Sequence, residues 1–218
     1  MKKILAVLMA LVLMLSMLTL ISGCGNKGSK KLVGVWETVW LEADGEDYED
    51  FENQYMAFTA DGKCLIAYDG IGTNVLVYEY EIDGDELVVE TGENGSAERT
   101  VEVEVDGDSM TMTSSVDGVE VVYGLERIEA PDESEIIGKW ECERYDSVKK
   151  VTFNKNGTFK YRYDGKNASY SGDWSYADGV ITMEHDGETE YWLIRIDDDM
   201  MYIRFAWDGS LSEEYERQ

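Results

Sequence analysis

One histidine, His185, and three cysteines, Cys24, Cys64 and Cys142, are the residues of this 218-residue chain best suited to nucleophilic, acid–base or metal chemistry. A Ser–His–Asp arrangement would rest on His185 alone. That residue directly precedes the Asp186-Gly187 turn signal, where a solvated strand end is expected. A single histidine also gives a zinc site no redundancy. Asp83-Gly84-Asp85, Asp106-Gly107-Asp108 and Asp197-Asp198-Asp199 offer oxygen ligands. None of them continues into the Asp-x-Asp-x-Asp-Gly loop with a closing Glu that calcium takes, and Asp-Gly is already explained by turn geometry. Nothing marks out a general acid and base among the 46 Asp and Glu residues. The residues therefore point away from an enzyme and toward a chain without metal or cofactor. Cys64 and Cys142 fall one in each half of the chain, on strand-like segments. They read as buried free thiols, although an oxidising compartment would also permit a bridge.

Cys24 stands in a different setting. Met1-Lys2-Lys3 supplies a positive start and Ile4 through Ile21 a largely apolar run of 18 residues. Small residues then lead into the thiol. Ile21-Ser22-Gly23-Cys24 resembles the lipobox of bacterial lipoproteins. The resemblance implies that residues 1–23 are a signal peptide and that Cys24 receives a diacylglycerol. Cleavage before Cys24 would make it the first residue of the mature chain. The competing readings are an uncleaved spanning helix, for which eighteen residues are long enough, and a plain secretory signal. Two or three acyl chains anchor stably where one binds only marginally. The expected location is thus the extracytoplasmic face of a cell membrane, held by an N-terminal lipid anchor. Residues 24–31 form a flexible tether whose Lys27, Lys30 and Lys31 would sit near anionic headgroups.

The elements downstream read as strands. Asp-Gly or Asn-Gly occurs twelve times, beginning at positions 44, 61, 69, 83, 94, 106, 117, 156, 164, 178, 186 and 208. Both residues tolerate the positive φ of tight hairpins. Between these turns the side chains alternate. Leu76, Tyr78, Tyr80 and Ile82 share one face, Val101, Val103 and Val105 another, and Phe159, Tyr161 and Tyr163 a third. Period two with one wet face is the pattern of an antiparallel strand.

The chain also repeats itself. Leu32-Val33-Gly34-Val35-Trp36-Glu37 recurs as Ile136-Ile137-Gly138-Lys139-Trp140-Glu141. Phe58-Thr59-Ala60-Asp61-Gly62-Lys63 recurs as Phe153-Asn154-Lys155-Asn156-Gly157-Thr158. Leu125-Glu126-Arg127 matches Tyr215-Glu216-Arg217. The segment between the copies carries Pro131, the only proline of the protein, a residue excluded from central strands. The expected organisation is one domain over 32–129, a linker over 130–135 and a second domain over 136–218.

Gly-x-Trp on the first strand of each copy, a run of up-and-down hairpins and an Arg on the last strand together resemble the lipocalin superfamily. The resemblance implies an all-β fold of two tandem antiparallel β-barrel-like domains, each with about eight strands. It implies further that Trp36 with Arg127, and Trp140 with Arg217, plug one end of each barrel, the guanidinium lying over the indole face. Each copy is shorter than a full lipocalin, and the match is to the short lipocalin-like domains of bacterial lipoproteins.

An eight-stranded barrel is just wide enough to be filled by side chains or to hold one ligand. The second copy carries Trp140, Phe153, Phe159, Tyr161, Tyr163, Trp174, Tyr176, Trp192, Phe205 and Trp207, enough rings to fill it. The first leans on aliphatic side chains and methionine, which adapts to irregular space. A candidate ligand cavity is therefore placed there, lined by Leu76, Tyr78, Val101, Val103, Met110 and Met112. Charge separates the copies as well. Residues 32–129 hold 26 Asp and Glu against 3 Lys and Arg, while residues 136–218 hold 17 against 11. The second copy gathers Lys149, Lys150, Lys155, Lys160, Arg162 and Lys166 around its first hairpins. So acidic a chain is a poor nucleic-acid binder, and its first domain suits a cationic partner or plain solubility. The expected function is binding of a small apolar or amphipathic ligand at the envelope. The alternative is a structural or protein-interaction lipoprotein whose domains have closed cores.

Overall fold

In a computed structural model the described residues are 30–48, 54–68, 76–91, 97–144, 147–164, 168–203 and 213–218. The lipobox segment, Lys166, Phe205 and Trp207 lie outside them. The first sheet comprises β1 (Gly34–Ala43), β2 (Glu46–Tyr48), β3 (Gln54–Phe58), β4 (Lys63–Tyr68), β5 (Leu76–Asp83), β6 (Glu86–Thr91), β7 (Ala97–Asp106), β8 (Ser109–Val116) and β9 (Val119–Ile128). Neighbours in sequence pair as antiparallel neighbours from β3 to β9, β1 pairs with β3, and β9 returns to β1. The result is a closed eight-stranded barrel with β2 as a short flap on the far end of β1, where Leu41 faces Tyr48.

The second barrel comprises β10 (Gly138–Arg144), β11 (Ser147–Phe153), β12 (Thr158–Tyr163), β13 (Ala168–Ala177), β14 (Val180–His185), β15 (Glu188–Asp197), β16 (Met200–Ile203) and β17 (Glu213–Arg217). These eight strands close in simple sequence order. The protein is therefore all-β with two closed up-and-down antiparallel barrels of lipocalin-like architecture in tandem. Closure removes the free sheet edges that would otherwise template further pairing.

The turns explain why the strands fold back where they do. At Asp44-Gly45, Asp117-Gly118, Asp178-Gly179 and Asp186-Gly187 both residues have positive φ, from 50° to 85°. That is the type I′ geometry whose twist matches the flanking strands. Among the described residues one helical turn interrupts the β pattern. This helix, α1 (Glu133–Ile136), follows Pro131 and enters the second barrel. The Asp132 amide donates to the Glu135 carboxylate at 2.7 Å, half of a capping box that fixes where the turn starts.

Each barrel has its own core. Trp36, Phe58, Tyr80, Leu87 and Met110 are fully buried in the first. In the second, Trp140, Phe153, Phe159, Trp192, Met201 and Tyr215 form one cluster. Within it Phe153 packs on Trp174 with centroids 5.0 Å apart, and Trp192 on Tyr215 at 6.2 Å.

Candidate functional site

The closed end of each barrel is built the same way, atom for atom. The Trp36 indole donates to the Leu32 carbonyl at 2.8 Å, and the Trp140 indole to the Ile136 carbonyl at 2.8 Å. The Arg127 guanidinium lies 4.0 Å from the Trp36 ring centroid, and that of Arg217 lies 4.2 Å from Trp140. Arg127 also donates to the carbonyls of Val33 and Lys31. Arg217 does the same to Ile137 and Glu135, so the carbonyls that α1 leaves unpaired at its end are satisfied. The glycine of Gly-x-Trp follows from this packing. Gly34 and Gly138 have φ of +133° and +149°, and a Cβ at these positions would meet the arginine Nη1 at 2.5 and 3.1 Å. This end is a structural plug.

The plug and the turns set a residue-by-residue correspondence between the two interiors. Asp106 faces Ser109 at the β7–β8 hairpin as Asp197 faces Met200 at β15–β16. The amides of Arg127 and Arg217 then bond the carbonyls of Asp108 and Asp199, both at 2.8 Å. Counting back along these registers, Val103 and Met112 match Ile194 and Ile203, Val101 matches Trp192, and Arg99 matches Glu190. Leu125 matches Tyr215, and Tyr123 matches Glu213. The pairs Tyr80–Val89 and Trp174–Met183 place Tyr78 opposite Gly172 in the comparison. The β3–β4 and β11–β12 hairpins share their backbone hydrogen bonds and so align Cys64 with Phe159. The pairs Trp36–Met56 and Trp140–Val151 align Gln54 with Lys149.

At these positions the second interior carries rings. Rings from Phe159, Trp192 and Tyr215 occupy its middle. A polar layer lies above them. Lys149 and Glu213 form a buried ion pair, and the Tyr215 hydroxyl donates to Glu213 at 2.8 Å. Burial, with the Glu213 carboxylate beside it, holds the Tyr215 phenol well above its ordinary value. His185 meets Glu190 at 2.7 Å and stacks on Tyr170 with centroids 4.1 Å apart; Tyr170 in turn stacks on Tyr161 at 4.7 Å. Two expectations are corrected here. His185 is not a solvated strand end, because it continues the inward face of Ile181 and Met183, and its side chain is only 8% exposed. Lys149 is not part of a surface cluster, because it shares the inward parity of Val151 and Phe153.

The first interior carries smaller side chains at three of these positions. Cys64, Val101 and Leu125 stand where the second barrel has Phe159, Trp192 and Tyr215. Tyr78, in place of Gly172, and Tyr123, in place of Glu213, add rings in return. Of the residues assigned to a cavity by sequence, Val103, Met110 and Met112 are buried, and Val101 and Tyr78 are half-buried. Leu76 departs from the assignment. It is the first residue of β5 and is 39% exposed. Sequence reasoning passed over Arg99 and Tyr123, although both alternate in step with inward neighbours, Arg99 with Val101 and Tyr123 with Leu125. The charge of Arg99 reaches both Tyr78 and Tyr123. Burial raises both phenols, that of Tyr123 to about 12, so both remain hydrogen-bond donors. Thr38, two residues beyond Trp36, is buried with no hydrogen-bond partner for its hydroxyl among the described residues.

No family model and no curated protein matches the chain. A crystal structure of a protein of unknown function from the DUF3598 family of Nostoc punctiforme aligns with 86% of this chain and 97% of that one, at 11% identity and a TM-score of 0.30. The barrel assignment stands on the strand pairing above.

The described residues hold no group of three or more His, Cys, Asp or Glu side chains arranged to take a metal ion. Cys64 and Cys142 are both buried, and neither is joined in a disulfide. On the wall of the second barrel, beyond the pairs Trp140–Arg217 and Glu141–Glu216, a cleft of about 370 Å³ opens at the β10–β17 seam. Glu141, Glu143, Glu213, Glu214 and Glu216 line it, together with Cys142. The two barrels thus offer opposite chemistry: a half-aliphatic interior with an inward cation in the first, and a filled interior with an acidic seam in the second.

Proposed function

We propose that this is a non-catalytic, lipid-anchored binding protein of the extracytoplasmic membrane face, whose first barrel takes a small apolar or amphipathic molecule. The observation that carries the binding reading is the exchange of three interior rings for Cys64, Val101 and Leu125 between two barrels of matching wall and plug. A barrel of this strand number has room for one ligand only if its side chains leave it. The second barrel, with its filled interior, supports the structural or protein-contacting role that stands as the alternative for the whole chain. The acidic exterior of the first suits a cationic partner. The anchor rests on the Ile21–Cys24 pattern in the sequence.

Two measurements test this reading. The full chain in phosphatidylcholine nanodiscs, with empty nanodiscs as blank, should bind the neutral dye Nile red saturably with a stoichiometry near one. Val101→Trp, which installs the ring found at Trp192, should abolish that binding. Saturable binding that survives Val101→Trp would place the site elsewhere. For the anchor, Cys24→Ala should lose incorporation of labelled fatty acid in cells, and equal labelling of variant and wild type would sink it.

A further inference from the structure

We infer that the molecule held by the first barrel is an amphiphile with a single anionic group, taken by Arg99 together with the hydroxyls of Tyr78 and Tyr123. This rests on the binding reading above and narrows it to a chemical class. The argument begins with the ring of inward polar positions away from the plug. In the second barrel the inward carboxylates among the described residues have partners from within: Glu213 has Lys149, and Glu190 has His185. In the first barrel Gln54 replaces Lys149, Tyr123 replaces Glu213, and the sign at the Glu190 position is reversed to Arg99.

Arg99 is half-buried and has no carboxylate partner among the described residues. This occurs in a domain with 26 acidic side chains and only three basic ones. The other two are accounted for, Lys63 by Asp61 and Arg127 by the Trp36 ring and Asp108. Desolvating a guanidinium without a counter-charge is costly, and burial pulls Arg99 below its ordinary value. A group that accepts hydrogen bonds from a planar fork and two phenols, and carries one negative charge, resolves that cost. Carboxylate and sulfonate do so, and charge-assisted bonds of this kind are the strong ones.

The acidic exterior decides the rest of the class. Glu98, Glu102, Glu104, Glu120 and Glu126 lie exposed on outward faces and repel small anions in solution, an effect screened beyond about 8 Å at physiological salt. A free inorganic anion has nothing to offset that repulsion. An amphiphile does, because its tail is buried against Leu87, Val103, Met110 and Met112, and each methylene taken out of water adds to affinity.

The test uses the full chain in phosphatidylcholine nanodiscs, with empty nanodiscs as blank. The two probes are undecanoic acid with a terminal dansyl group, and its methyl ester, which differ only in the charged end. The acid should bind at least about tenfold more tightly than the ester, as expected for one charge-assisted contact. Arg99→Gln should bring the acid down to the affinity of the ester while leaving the ester unchanged, which also shows that the variant is folded. Arg99→Lys should retain part of the preference. Inorganic phosphate should not displace the acid. Equal binding of acid and ester by the wild type overturns the anionic class and leaves the binding reading standing. Failure of both probes overturns both. Loss of both probes in Arg99→Gln would assign Arg99 to the wall rather than to the ligand, and displacement by phosphate would overturn the amphiphile.

Discussion

The two barrels share a plug to within tenths of an ångström and differ most where their interiors meet the open end. Trp36 and Trp140 donate to equivalent carbonyls at the same 2.8 Å. Yet Val101 stands for Trp192, and Arg99 for Glu190. The division follows from what each part must do. The plug fixes closure of the sheet, and any change there strains Gly34 or Gly138 against an arginine. Interior side chains have only to fill or line a space that the wall already defines. One barrel fills it with rings and a paired polar layer; the other places aliphatic side chains there and a cation without a counter-ion among the described residues.

The sharpest way to break this comparison is to exchange the residues that differ. Trp192→Val should cost about 3–5 kcal/mol, as removal of a buried ring from a packed core does. Val101→Trp should cost well below the roughly 1–3 kcal/mol of overpacking a tight core. Urea unfolding of each variant of the full chain reads both. A Val101→Trp penalty as large as the Trp192→Val penalty would mean that the first interior is as solid as the second.

The polar layer supplies a second test of similar size. Lys149→Met alone strands Glu213 as a buried charge and should cost about 3–5 kcal/mol. The double change Lys149→Met with Glu213→Gln keeps an acceptor for the Tyr215 hydroxyl and removes both charges. It should recover most of that loss, to within about 1 kcal/mol of wild type. In the first barrel Gln54→Met should cost only about 1 kcal/mol, since no charge is stranded. A double variant no better than the single would show that the layer is held by something other than the ion pair.

A smaller effect distinguishes the plugs. Gly34→Ala and Gly138→Ala both force a side chain into a backbone region that costs about 1–3 kcal/mol. Gly34→Ala should be the worse of the two, because its Cβ would lie 2.5 Å from the arginine rather than 3.1 Å. Thermal melts of the two variants rank them, and the reverse order would mean that Arg127 yields more readily than Arg217.

Much of the wall was legible because turn chemistry and alternation are local. Asp-Gly at 44, 117, 178 and 186 marks hairpins that the backbone places at those residues, and Gly-x-Trp with a distant Arg marks the plug. The interior was harder to read because residue type and strand parity gave conflicting signals. Lys149 sits among Lys150, Lys155 and Lys160 in sequence and looks like part of a solvated face. Its parity with Val151 and Phe153 turns it inward, and Glu213, sixty-four residues away, makes that tolerable. His185 was read from the turn beside it rather than from Met183 two residues before. Arg99 shows the same conflict. Its charge argued for the surface and its step with Val101 argued for the interior, and no partner in sequence could decide between them.

The smallest expected effect is kinetic and concerns the two thiols. Cys64 and Cys142 are both buried, but their surroundings differ. Cys142 lines the acidic seam cleft. Cys64 is fully enclosed, and burial pushes its thiol up, away from the thiolate that reacts. Neutral iodoacetamide, which the glutamates of the seam do not repel, should therefore label Cys142 first in the native protein. Cys64 should follow only at the rate at which its barrel opens. Peptide mass spectrometry along a time course separates the two sites, and sub-denaturing urea should speed Cys64 more than Cys142. The opposite order carries its own meaning. Cys64 occupies the position that Phe159 fills in the second barrel, so early labelling there would show interior space running from the open end down to that residue. Protection of Cys64 by the dansyl acid but not by phosphate would then trace the path of the tail.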